Sequence, residues 1–128
     1  MKKLETDRLK ILVVDDDERI ARTFQRILKK KGYQTDTART GQEAIQKANG
    51  KTYDLALIDI RLPDMNGINL LDKLADLDSK MVKIIITGFP IMAPEESSKA
   101  VACLVKPVKP QELIAIIERK TKRKREAI

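Results

Sequence analysis

Histidine and tryptophan are both missing from the 128 residues, cysteine occurs once, and aromatic side chains amount to 3%. Each shortage excludes something. Without histidine there is no imidazole to ligate a transition metal, and Cys103 alone can neither close an internal disulfide nor build a thiolate site. With Phe24, Phe89, Tyr33 and Tyr53 as the only aromatics, there is no stacking platform for nucleic-acid bases, and aliphatic packing must carry the core. No apolar run approaches membrane-spanning length, and the charged start MKKLETDRLK leads into no apolar signal region. The expectation is a soluble cytoplasmic protein with no membrane partner.

What is present is a chain of single-domain length with 42% hydrophobic residues and a formal charge of +7. The charge is concentrated at one end. Residues 119–125, RKTKRKR, contain no acid, so the remainder is nearly neutral. This divides the chain into a globular domain over residues 8–119 and a basic tail over 120–128. A nucleic-acid-binding module using that tail is the rival reading of function. No helix-turn-helix pattern supports it, so a solvated tail is the simpler expectation, and nucleic acid is not an expected partner of this domain alone.

Short apolar runs alternate with amphipathic segments along the chain. ILVV at residues 11–14 predicts a strand, and Ile20, Phe24, Ile27 and Leu28 then recur at helical spacing as far as Gly32. Residues 33–38 predict a second strand, and Thr40 to Glu43 reads as the capping box of a short helix. Residues 53–59 predict the third strand. After the turn PDMNG, with Asn66 as cap, Leu70, Leu71, Leu74 and Leu77 mark a helix, and residues 82–87 a fourth strand. Pro90 and Pro94 confine a fourth helix to about residues 95–99, so it is short or irregular. A last strand over 103–105 precedes Pro110, suited to a helix's first turn. Five strand-helix pairs imply an α/β fold with a doubly wound, flavodoxin-like (βα)5 parallel sheet covered on both faces, in the common order 2-1-3-4-5.

That order places a crevice at the carboxyl ends of strands 1 and 3, where Asp15, Asp16 and Asp59 stand. Convergent carboxylates repel by roughly 4 kcal/mol per pair at about 4 Å and an effective dielectric near 20, so a cation must accompany them. A flavin phosphate would be repelled. Phosphatases with a strand-end aspartate nucleophile commonly carry a second acid two residues on, where this chain has Arg61. A hard divalent ion, Mg2+, suits a set of carboxylates and a carbonyl. Asp17 reads as the cap of the first helix, and Thr87 and Lys106-Pro107 end strands 4 and 5 on the same sheet edge.

These residues, VVDDD, LIDIRLPDMNG, IIITG and LVKP, resemble in order and spacing the receiver domain of two-component response regulators. The resemblance implies that Asp59 accepts a phosphoryl group from a phosphohistidine, that Asp16 binds Mg2+ directly and Asp15 through water, and that the Arg61 backbone carbonyl supplies another oxygen. It further implies that Lys106 pairs with the phosphoryl oxygens and Thr87 hydrogen-bonds one of them. The protein would then be a signalling domain instead of an enzyme. Having no histidine, it needs a separate donor, a sensor histidine kinase or phosphotransfer protein, docked on the first helix and the loop after strand 5 near Arg19, Arg22, Thr23 and Pro107. Two departures stand out: Cys103 occupies the usual position of a switching aromatic, and the segment from Thr87 to Lys106 is short, so output is expected to act by ordering residues 89–100.

Overall fold

The computed structural model describes residues 8–88 and 102–122. The expected short helix over 95–99 and the ordering of 89–100 lie outside them. Among the described residues nine elements follow in chain order: β1 (Lys10–Val14), α1 (Glu18–Lys30), β2 (Gln34–Ala38), α2 (Gly41–Gly50), β3 (Leu55–Asp59), α3 (Gly67–Leu77), β4 (Val82–Thr87), β5 (Ala102–Val105) and α4 (Pro110–Lys120). The strands form one parallel sheet in the order β2-β1-β3-β4-β5, as expected. Among the described residues no helix is long and apolar enough to cross a membrane.

Strand alternation divides the core into two layers. Ile11, Val13, Leu55, Leu57, Ile84 and Ile86 face Phe24 and Leu28 of α1 and Leu113 and Ile117 of α4. Leu12, Val14, Ala56, Ile58 and Ile85 face Leu70, Leu71 and Leu74 of α3 and Ala44 of α2. The three central strands are therefore apolar at every register position except Lys10, Asp59, Lys83 and Thr87. Edge strand β2 departs from the expected pattern. Its QTDTA is mostly half-buried, and Asp36 there accepts from the Tyr53 hydroxyl at 2.6 Å and the Lys51 ammonium at 2.9 Å. Those bonds hold its carboxyl below the usual range.

Helix boundaries follow local chemistry. Asp17 caps α1, accepting from the N–H groups of Arg19 and Ile20. α1 ends in a Schellman arrangement, with Gly32 at φ 95, its N–H bonded to the Lys29 carbonyl and that of Tyr33 to Leu28. At α2, Thr40 accepts from the Glu43 N–H at 3.0 Å. The reciprocal bond reaches one residue farther back than the expected capping box, from the Arg39 N–H to the Glu43 carboxylate at 2.9 Å. Asn66 caps α3 and Pro110 opens α4, both as expected. The fold extends through α4 to Thr121, which is buried and donates to the Ile117 carbonyl at 2.6 Å.

Gly67 is required by a close approach. A Cβ there would lie 2.6 Å from the Asp59 carbonyl oxygen and 2.8 Å from the Ile60 Cα, both backbone atoms that have little freedom to move. Gly67→Ala is expected to lower the unfolding free energy by about 1–3 kcal/mol. Gly50→Ala, with nothing within 4 Å, is expected to match or exceed wild type. Urea denaturation of the two variants checks the contrast.

Candidate functional site

β1 and β3 lie side by side, so their carboxyl ends deliver Asp15, Asp16 and Asp59 to one crevice. One carboxylate oxygen from each lies within 4.8 Å of the others. Asp15 and Asp59 are buried, at 2% and 8% exposure, while Asp16 is exposed. Lys106 reaches in from the end of β5. Its ammonium donates to Asp15 Oδ2 at 3.1 Å and Asp59 Oδ2 at 3.3 Å. The backbone of Lys106 is held by a bond from its N–H to the Thr87 carbonyl at 2.8 Å, and its peptide bond to Pro107 is cis.

The remaining expected residues take distinct places. Thr87 is buried at the last position of β4, one residue beyond Ile86, which pairs with Asp59. Arg61 has an exposed side chain, while its N–H donates to Asp59 Oδ1 at 3.3 Å. Asp17 belongs to α1 as its cap, and its own N–H donates to Asp15 Oδ1 at 2.9 Å. Cys103 is half-buried against the α3-side core, and burial raises its thiol pKa, as befits a packing residue.

Electrostatics at the site follow from burial and like charge. Desolvation raises the pKa of Asp15 above its ordinary value, the neighbouring Asp59 charge raises it further, and the Asp17 N–H and Lys106 oppose the rise. Burial works against the charged form of Lys106, but Asp15 and Asp59 outweigh it and raise its pKa.

Asp64 was not foreseen as part of this region. Its carboxylate accepts the Gly41 N–H at 2.8 Å and the Gln42 N–H at 2.9 Å, across 22 and 23 positions of sequence. The PDMNG motif signals a turn but cannot name a partner so distant. A groove of about 600 Å3 also opens beside Lys106, between α1 and the β5–α4 loop. Arg19, Thr23 and Pro107, expected to lie on a donor-docking surface, line it together with Ile20 and Phe24. Arg22 is not among its lining residues and pairs with Glu18 at 2.8 Å.

Residues 11–118 match the response regulator receiver domain family. The chain belongs to that family. It is 33% identical over 101 residues to sporulation initiation phosphotransferase F of Bacillus subtilis, covering 79% of this chain and 82% of that protein. Its structure resembles a CheY-like receiver domain protein from Methanospirillum hungatei, with TM-score 0.86, 36% identity and coverage of 94% and 99%. It also resembles the response regulator TrrA of Thermotoga maritima in complex with Mg2+ and BeF, with TM-score 0.81, 29% identity and coverage of 87% and 97%. The CpxR homolog of Haemophilus influenzae is 31% identical over 118 residues, 85% of this chain, and the chain spans only 48% of that regulator's length. This receiver is a phosphoacceptor module of two-component signalling, a class that works with histidine kinases or phosphotransfer proteins.

The folded protein holds the Asp15 proton more tightly than the unfolded chain does. Asp15 therefore contributes stability that is present below its ordinary pKa and lost as pH rises through its raised value. Carbon-detected NMR titration of the chelated protein is expected to place Asp15 above an ordinary aspartate. Lys106→Ala removes a cation that opposes the rise and is expected to push it higher.

Proposed function

We propose that Asp59 is the phosphoryl acceptor of this receiver, with Lys106, Thr87 and a Mg2+ site built from Asp15, Asp16, Asp59 and the Arg61 carbonyl. The observation that carries the reading is the Lys106 ammonium shared between Asp15 and Asp59. It marks where negative charge collects and where a transferred phosphoryl group would meet a cation. The three carboxylates suit a hard divalent ion, since all their donors are oxygen, and a Mg2+ complex of the relative TrrA supports the choice of metal. When bound, Mg2+ supplies positive charge for the phosphoryl oxygens and the carboxylates alike.

A carboxylate oxygen of Asp59 attacks phosphorus on the donor phosphohistidine. The P–O bond forms as the P–N bond breaks, its electron pair stays on the imidazole nitrogen, and an aspartyl phosphate results. Lys106 stays within reach of the new group from the edge of β5. Thr87, at the end of the adjacent β4, takes the hydrogen-bonding role that couples modification to structure. The donor docks in the groove of Arg19, Ile20, Thr23, Phe24 and Pro107, which borders Lys106 and so opens beside the acceptor. The receiver spans residues 8–121, two residues past the expected boundary at 119 because Thr121 is buried at the end of α4, and the basic sequence continues from there. It serves as a signalling domain without turnover of an external substrate, in the cytoplasm, where an unpaired Cys103 is at home.

Incubation with acetyl phosphate and Mg2+, followed by mass spectrometry, tests the reading. Addition of one phosphoryl group is expected, abolished by chelator or by Asp59→Asn; a shift that survives either rules out Asp59 with Mg2+. Lys106→Ala is expected to slow labelling, and Thr87→Ala to leave labelling largely intact while removing the structural response seen with beryllofluoride. Equal loss in both variants contradicts that division. For the groove, Arg19→Glu is expected to slow transfer from a phosphohistidine donor while labelling by acetyl phosphate stays at the wild-type rate. Equal rates with both donors would place docking elsewhere.

A further inference from the structure

We propose that Asp64 is a positioning residue for the metal site, holding the β3–α3 loop against the first turn of α2 and so fixing the backbone of Arg61. The inference rests on the metal reading above. A helix start leaves its first N–H groups to local side chains or water. Here the local cap, Thr40, serves only Glu43, and the N–H groups of Gly41 and Gln42 go to the two oxygens of Asp64. Those two bonds keep the Asp64 carboxyl below the usual range even though the residue is exposed. Its neighbour Met65 seals the contact. Its side chain fills the space where a Cβ at Gly41 would stand.

The docked loop is also closed at its base. Arg61 pairs with Asn66 in an antiparallel bridge, and the Gly67 N–H donates to the Ile60 carbonyl at 2.8 Å. Arg61 is thus itself one side of the bridge that closes the loop, and the Asp64 contact sits within the loop three residues ahead of it. The strand that leads into this helix serves the opposite wall of the crevice. Ala38, three residues before Gly41, accepts the Asp15 N–H at 3.0 Å. The end of β2 thus holds β1 through Ala38, and three residues on the first turn of α2 holds the β3–α3 loop through Asp64. An exposed carboxylate that touches none of the acidic residues would in this way set the spacing of a metal's ligands.

The test measures Mg2+ binding by isothermal titration calorimetry on the full chain, beside thermal melts in chelator. Asp64→Ala is expected to weaken Mg2+ about tenfold, the low end for groups that orient a ligand without touching the metal. Asp64→Asn, which keeps one acceptor oxygen, is expected to fall between and carries the comparison if the alanine variant does not fold. Thr40→Ala uncaps the same helix without touching the loop. It is expected to lower the melting temperature while binding Mg2+ as wild type does. Acetyl phosphate labelling of Asp64→Ala is expected to recover at saturating Mg2+. Wild-type affinity in both Asp64 variants, an equal loss in Thr40→Ala, or labelling that stays slow at saturating Mg2+ overturns the proposal. Absence of Mg2+ binding by wild type instead overturns the metal reading on which it stands.

Discussion

Like charges at the carboxyl edge of the sheet set the terms for this structure. Asp15 and Asp59 are buried beside one another because β1 and β3 are neighbours, and neighbouring parallel strands end at the same level. Burial favours protonation of Asp15. Lys106 opposes this by placing one ammonium against both. Its position depends on β5 pairing with β4, so the charge balance at the centre of the crevice depends on a strand two places away. A parallel sheet with all crossovers of one hand brings these ends together without any local signal between them.

Much of this was legible because it is periodic or local. The aliphatic runs of β1, β3 and β4 lie between two helical layers and read as continuous stretches, and that continuity separated them from strands with one wet face. The caps Asp17 and Asn66 and the first-turn Pro110 act within a few residues and were readable for that reason. The order 2-1-3-4-5 came from the commonness of the topology, and the pairing bears it out. β2 reads poorly by the same criterion. At the sheet edge, QTDTA is held by its ladder to β1 and by the Asp36 contacts with Tyr53 and Lys51, none of which is periodic.

The less legible part is non-local hydrogen bonding. Asp64 and Gly41 are 23 positions apart, and a motif reading of PDMNG accounts for the turn while leaving the carboxylate without a role. The groove shows the same limit in another form. Arg19 and Thr23 share one helix face and both line the groove, whereas Arg22 on the same helix pairs with Glu18 one turn back. Helical spacing identifies which residues share a face; it does not decide which of them finds a nearer partner.

The four oxygens of the two buried carboxylates divide among donors of two kinds, and the division decides which of them can give way. Asp15 Oδ1 accepts the Asp17 N–H and Asp59 Oδ1 the Arg61 N–H, while both Oδ2 atoms face Lys106. Every oxygen of the buried pair therefore has a donor supplied by the chain itself, so the fold does not depend on an ion to satisfy them. Asp16 is the exposed member of the cluster, so its carboxylate is the one that solvent reaches. Lys106, which serves two of the four oxygens, is the only one of the three donors carried on a flexible stem, the other two being backbone N–H groups. If Asp59 takes up the charge proposed for it, the lysine, as the one donor on a rotatable side chain, is the group with the freedom to respond first.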